Sequence, residues 1–179
     1  MGRWACLLRA VNVGGQRKLK MTELQDLCTS LGCTEVVTYM QSGNVVLSSK
    51  QSQSRIGPAL SAAISQEMGY SDVDVLVWSA AELAVLIRDN PFLATPGDAS
   101  GMHVTFLSKN AKASQINALG PESYLPDRFA AGRNAVYVHC PNGYGRTKLN
   151  NSFFERKLNV AATTRNWQTV KNLHSLLSE

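Results

Sequence analysis

The sequence predicts an α+β protein built of two units of the β-α-β-β-α-β type. Short apolar segments typical of strands alternate with segments whose apolar residues recur at helical spacing. The order strand, helix, strand, strand, helix occurs in residues 4–68 and again in residues 102–158. With the strand predicted at 73–77, the first half completes the ferredoxin-like supersecondary pattern, β-α-β-β-α-β. We therefore predict two ferredoxin-like subdomains, residues 1–90 and 91–179, as a duplicated unit with a C-terminal helix.

The first half contains four predicted strands and three predicted helices. In chain order these are strand 4–9, a helix from Thr22, strands 35–40 and 45–48, helix 54–68, strand 73–77 and helix 80–89, and residues 11–15 are a predicted loop. Thr22 with Gln25 and Ser79 with Glu82 have the spacing of capping boxes. Gly32 is predicted to end the first helix, and the Ser42-Gly43-Asn44 segment to form the turn of a hairpin.

The second half repeats this order more weakly. Its predicted elements are strand 102–107, helix 111–118, strands 125–130 and 134–139 as a hairpin around Gly132, helix 151–158 and helix 167–177. Asn151 and Asn166 are the predicted N-caps of the last two helices. No final strand is predicted for this unit, so the duplication is inferred from five elements of the six.

Composition excludes several classes of protein. The chain of 179 residues is 44% hydrophobic, which is too apolar for a disordered chain, and no apolar run approaches the length of a membrane span. Arg9 interrupts the N-terminal apolar run too early for a secretory signal, so we expect a cytoplasmic protein. The four cysteines have no C-x-x-C spacing and the three histidines are scattered. We therefore expect reduced, mostly buried thiols, and no metal or cofactor.

Three motifs carry a resemblance to one family. They are Leu8-Arg9-Ala10-Val11-Asn12-Val13-Gly14-Gly15, Thr38-Tyr39-Met40-Gln41-Ser42-Gly43-Asn44-Val45 and Thr163-Thr164-Arg165-Asn166-Trp167-Gln168-Thr169-Val170. With these motifs the chain resembles the bacterial domain-of-unknown-function family numbered 1697, apart from Ala10 and Val11, where the family usually has Gly and often Ile. The resemblance implies a small cytosolic protein of two ferredoxin-like units. It implies no established activity.

The candidate site lies at one pole of the first predicted sheet. In a sheet of spatial order 4-1-3-2, the end of strand 1 meets the turn between strands 2 and 3. From the end of strand 1 and the loop after it, the candidate site takes Arg9, Asn12, Gly14, Gly15 and Lys18. From the turn between strands 2 and 3 and the residues beside it, it takes Tyr39, Gln41, Ser42, Gly43 and Asn44. Adjacent glycines let backbone N–H groups approach an anion, and arginine and lysine add positive charge.

Other interpretations of these residues stay open. The glycines serve equally well as turn residues, the asparagines as makers of local hydrogen bonds, and Asn166 as an N-cap. Arg165 and Asn166 are included in the ligand-binding set because arginine could bind the same anion. The basic loop 143–148 precedes a helix and could meet phosphate there, although an exposed loop explains it as well.

Acid–base candidates are few. Asp72 and Asp74 are predicted to share one face of a strand, where magnesium would need further oxygens. His103, His139 and Tyr137 are predicted to share a face of the second sheet. No Ser-His-Asp set can be assembled, so no catalytic residue is assigned.

The preferred hypothesis is a module that binds a small anionic or phosphorylated ligand. The alternative is a protein that binds RNA or single-stranded nucleic acid, although the RNA-recognition signature string is absent and aromatic residues make up only 7% of the chain. A phosphoester hydrolase is the third hypothesis. No membrane partner is expected, and the sequence leaves the oligomeric state and the ligand open.

Overall fold

A computed structural model describes residues 1–94 and 99–179. The chain divides into two compact units, one of Met1–Leu83 with Leu173–Glu179 and one of Ala84–Asn172. Each unit contains a four-stranded antiparallel sheet with helices, which confirms the predicted α+β class and the two ferredoxin-like subdomains. Residues 95–98, which belong to the predicted boundary region, lie outside the described residues.

The first unit follows the predicted order of elements. They are β1 (Gly2–Leu8), α1 (Met21–Ser30), β2 (Thr34–Tyr39), β3 (Asn44–Ser49), α2 (Gln53–Met68) and β4 (Val75–Trp78). They are followed by α3 (Ala80–Arg88), whose residues from Ala84 onward belong to the second unit. The sheet order is β2-β3-β1-β4, the predicted 4-1-3-2 arrangement. Cys6 and Leu8 of β1 pack in one core with Leu24 of α1 and Leu60 of α2. Burial of this apolar face fixes where β1 ends, and hence where the following loop begins.

The second unit repeats the topology. Its elements are β5 (Met102–Leu107), α4 (Ala113–Asn117), β6 (Arg128–Gly132), β7 (Ala135–His139), α5 (Asn151–Leu158) and β8 (Ala162–Asn166), followed by α6 (Trp167–Ser178). The sheet order is β6-β7-β5-β8, which matches that of the first sheet position by position. The core includes Phe129, Phe153 and Phe154, whose rings meet edge to face.

Strand β8 is absent from the elements predicted from the sequence. Its residues, Ala162–Asn166, include two threonines and a charged arginine, so they lack the apolar pattern of a strand. Three of its five residues are nevertheless buried, and β8 pairs antiparallel with β5, with Thr105 opposite Thr164. The missing sixth element of the second unit is therefore present.

Two predicted helix caps are wrong and two are confirmed. The cap of α1 is Lys20 rather than Thr22, and Glu23 rather than Gln25 accepts the hydrogen bond from the cap's backbone N–H. Ser79 and Glu82 form the predicted reciprocal bonds at α3. Asn166 accepts from the Thr169 N–H at 2.8 Å, as predicted for α6.

Asn150, not Asn151, caps α5, because its side-chain oxygen accepts from the Phe153 N–H at 3.0 Å. Asn150→Ala leaves that N–H without its partner, so we expect the free energy of unfolding to fall by about 1 kcal/mol. Urea denaturation measures the change. Asn150→Asp keeps an acceptor at the same place and should retain most of the stability. Equal stability of the Ala variant and the wild type would contradict the assignment of this cap.

The acidic pair and the histidine group are also placed differently from the prediction. Asp72 and Asp74 precede β4, which begins at Val75, so they do not share a strand face. His103 stands opposite Val138, and His139 opposite Met102. Because directly opposed residues share a face, His103 points to the other side of the sheet from His139 and Tyr137.

Among the described helices, none is both long and apolar enough to cross a membrane. All four cysteines are free and buried, as predicted. Burial raises the pKa of the Cys28 thiol to about 12, and it also raises the pKa values of Cys6 and Cys33. These thiols are therefore protonated and unreactive at neutral pH.

Candidate functional site

The end of β1 and the turn between β2 and β3 meet at one pole of the first sheet. The Leu8 N–H donates to the Gly43 carbonyl at 2.8 Å. Residues 9–19 then leave the sheet as a loop before α1 begins. We call residues 9–19 together with residues 40–44 the glycine pole. The sheet order places these two segments side by side, because β1 and β3 are neighbours.

Asn12 joins the two segments of the glycine pole. Its side-chain amide donates to the Gln41 carbonyl at 2.7 Å and to the Leu19 carbonyl at 2.8 Å. Its side-chain oxygen accepts from the Leu19 N–H at 2.9 Å. One side chain thus closes the loop on itself and ties it to the β2–β3 turn.

The β2–β3 turn is held from inside by Asn44. This fully buried side chain donates to the Tyr39 carbonyl at 2.9 Å and to the Ser42 hydroxyl at 3.0 Å. Gly43 packs tightly, since an added Cβ would lie 2.4 Å from a methyl carbon of Val11. The turn is therefore rigid, and its outer residues, Met40, Gln41 and Ser42, are exposed.

The backbone of the glycine pole is unusually rich in left-handed conformations. Positive φ angles occur at Ala10, Asn12, Gly14, Gly15 and Arg17 of the loop and at Met40 and Gly43 of the turn. Three of these residues, Ala10, Arg17 and Met40, are neither glycine nor asparagine, and such residues cost about 1–2 kcal/mol each in this region. Backbone strain of this kind clusters at ligand sites and turns in proteins.

Gly14 and Gly15 lie at the exposed tip of the loop. A Cβ added at either position would meet no atom within 4 Å. Across residues 1–94 and 99–179, neither N–H donates a hydrogen bond within the protein. Gly14 and Gly15 form the two-residue turn of a short hairpin, in which the Gln16 N–H donates to the Val13 carbonyl at 3.1 Å. Their own N–H groups are therefore two adjacent donors at an exposed turn.

The arginines of the pole are already engaged by acids. A nitrogen of Arg9 lies 3.8 Å from an Asp74 carboxylate oxygen, and the Arg9 N–H donates to the Asp74 carbonyl at 2.9 Å. Arg17 donates to the Asp72 carboxylate. Lys18 is exposed, and no carboxylate in the described part of the chain lies within ion-pairing distance of its ammonium. These two ion pairs, which local sequence patterns do not predict, leave Lys18 as the most available cation of the predicted set.

Arg165 and Asn166, the remaining members of the predicted set, belong to the second unit. Arg165 is buried, and its guanidinium donates to the Thr163 hydroxyl at 2.7 Å and the Thr164 carbonyl at 3.0 Å. Burial lowers the pKa of Arg165 to about 10. Asn166 is occupied in capping α6. Both residues therefore have structural roles within their own unit.

His103 of the second unit stacks on Tyr144, with ring centroids 4.6 Å apart. Burial lowers the pKa of His103, although a hydrogen bond with the Gly101 carbonyl opposes the shift. Burial also raises the pKa of Tyr144. Both rings are therefore neutral at pH 7. Tyr144 belongs to the basic loop 143–148, so this stack anchors the loop to the sheet.

The second unit provides an internal comparison for the glycine pole. There the Leu107 N–H donates to the Asn134 carbonyl at 3.0 Å, and the Ser108 N–H to the Ala161 carbonyl at 2.9 Å. These bonds match those of Leu8 and Arg9 in the first unit. Yet residues 108–111 suffice to connect β5 to the cap of α4, whereas residues 9–19 connect β1 to the cap of α1. The first unit thus carries seven more residues than the same connection requires.

Comparisons with known proteins agree with this fold. A family model described as "Protein of unknown function (DUF1697)" matches residues 1–137. A solved structure described as conserved bacterial protein SP0830 from Streptococcus pneumoniae is similar over 98% of both chains, with a TM-score of 0.75 and 22% identity. That level of identity supports the fold alone. No curated protein matches the chain.

Proposed function

Since this chain belongs to the DUF1697 family, which has no assigned activity, we propose from the site itself that the glycine pole binds a small anionic or phosphorylated ligand. The observation that carries the proposal is the additional length of the loop. Residues 9–19 make a connection that the second unit makes with residues 108–111. The fold does not require the additional residues, so another role accounts for them.

The chemistry of the loop fits an anion. The exposed N–H groups of Gly14 and Gly15 supply two adjacent donors, and Lys18 supplies a point charge. Asn12 holds the loop against the β2–β3 turn, where the Ser42 side chain is exposed. Because the backbone is held before binding, the ligand has little loop entropy to overcome.

The proposal is tested by measuring Tm in the presence of phosphate, pyrophosphate, a hexose phosphate and the adenosine nucleotides. At a ligand concentration ten times Kd, binding should raise Tm by about 3–6 °C. Gly15→Asn should abolish the shift, because asparagine tolerates positive φ while its side chain occupies the open space. Lys18→Ala should reduce it strongly.

Gly32→Asn is the matched control. Gly32 has a φ of 76° against 75° at Gly15, and an added Cβ there also meets no atom within 4 Å. It lies at the end of α1, outside the glycine pole, so Gly32→Asn should keep the full ligand shift. No shift for any of the compounds, or an equal loss in the two variants, would contradict the proposal.

A further inference from the structure

The net positive charge of this protein belongs wholly to the second unit. Residues 84–172 contain eleven Lys and Arg against five Asp and Glu. Residues 1–83 and 173–179 contain seven Lys and Arg against eight acids. The formal net charges are therefore +6 and −1. The basic excess thus lies outside the unit that holds the glycine pole, and it is not explained by the function proposed above.

Five of these cations converge on one end of the second sheet. Strand β5 ends there, the β6–β7 turn lies there, and β8 begins there. Helix α5 connects the far end of β7 to β8, so its last turn reaches the same end, and α4 starts from it. The cations are Lys109, Lys112, Arg133, Arg156 and Lys157, which we call the basic rim.

Hydrogen bonds tie the segments of the basic rim together. The Leu107 N–H donates to the Asn134 carbonyl at 3.0 Å, next to Arg133. Ser108, next to Lys109, donates its N–H to the Ala161 carbonyl and accepts from the Ala161 N–H at its hydroxyl, both at 2.9 Å. The segments that carry these cations are therefore fixed relative to one another at this end of the sheet.

Few acidic residues balance the positive charge of the basic rim. All five of its cations are exposed. In segments 108–112, 133–134 and 155–161 the only acidic residue is Glu155. Its carboxylate accepts a hydrogen bond from the Ala162 N–H at 2.9 Å, which directs it to the backbone of β8.

We infer that the basic rim binds the phosphate backbone of nucleic acid without reading its sequence. Multiple exposed cations on one surface match a polyanion with regularly spaced charges. The exposed large apolar residues described in the second unit, Leu93 and Leu125, lie outside the rim, and a protein interface depends on such anchors. The sheet aromatics Phe106 and Tyr137 are buried, so stacking of bases on the sheet is not available.

Fluorescence anisotropy with a 20-nucleotide single-stranded RNA tests the inference on the full chain. If all five cations contact phosphates, log K should fall with log salt concentration with a slope of about −3.5. Lys109→Gln/Arg133→Gln/Lys157→Gln should weaken binding at least tenfold at about 100 mM salt and reduce that slope by about 2.

The matched control is Arg128→Gln/Arg146→Gln/Lys148→Gln, which removes the same charge from the opposite end of the same sheet. It should change affinity by less than threefold. Gly15→Asn should leave RNA binding unchanged, so the inference is tested separately from the proposed small-ligand site. Equal losses in the two triple variants would overturn it, as would no binding at micromolar RNA or equally tight binding of polyglutamate.

Discussion

Gly43→Ala is expected to destabilise the first unit by about 3 kcal/mol. The new Cβ would lie 2.4 Å from the Val11 side chain and 2.9 Å from the Leu8 Cβ, and overpacking of this kind costs about 1–3 kcal/mol. The positive φ of 76° adds about 1–2 kcal/mol for any residue with a Cβ. Urea denaturation of the purified variant measures the loss.

Gly32→Ala separates the cost of steric overlap from the cost of the positive φ. Gly32 has the same φ of 76°, but an added Cβ would meet no atom within 4 Å, so only the backbone cost of about 1 kcal/mol applies. The difference between the variants measures how tightly the β2–β3 turn packs on Leu8 and Val11. If both variants lost the same stability, the close packing described for the glycine pole would be refuted.

Asn12→Gly is expected to lower the free energy of unfolding by about 2–3 kcal/mol. The variant removes three hydrogen bonds, to Leu19 and Gln41, each contributing about 1 kcal/mol. Glycine accepts the φ of 55° at this position, so backbone strain does not contribute. Urea denaturation and thermal melting give the loss.

Asn12→Ala removes the same three bonds and adds the cost of a positive φ, so it should be less stable than the glycine variant by up to about 1 kcal/mol. In both variants the loop loses its connection to the turn, and any ligand-induced rise in Tm should shrink. A glycine variant as stable as the wild type would show that Asn12 does not hold the pole together.

Much of the fold could be predicted because its elements carry local signals. The apolar positions of β1 and α2 and the Ser79–Glu82 capping box depend on neighbours in the sequence. Strand β8 could not be predicted, since its threonines and Arg165 are stabilised by pairing with β5, which lies more than 50 residues earlier. Lys20 replaced Thr22 as a cap because the position of a helix start depends on packing as well as on side-chain preference.

The positions of the candidate site residues were predicted in outline, but the ion pairs formed by its arginines were not. Sheet order brought Asn12 and Gln41 together as expected. The engagement of Arg9 by Asp74 and Arg17 by Asp72 depends on where the segment before β4 runs, which local patterns do not specify. The basic rim was missed for a similar reason, since Lys109, Arg133 and Lys157 are far apart in sequence and meet only through the sheet.

The most direct test of the central claim, that the additional loop of the first unit is a ligand site, is an amide NMR titration with pyrophosphate and the adenosine nucleotides. We predict saturable shifts of the Gly14 and Gly15 amide resonances, with Lys18 affected and with Gly32 and Gly69 unchanged as internal controls. Absence of shifts at Gly14 and Gly15, or equal shifts at the control glycines, would contradict the claim.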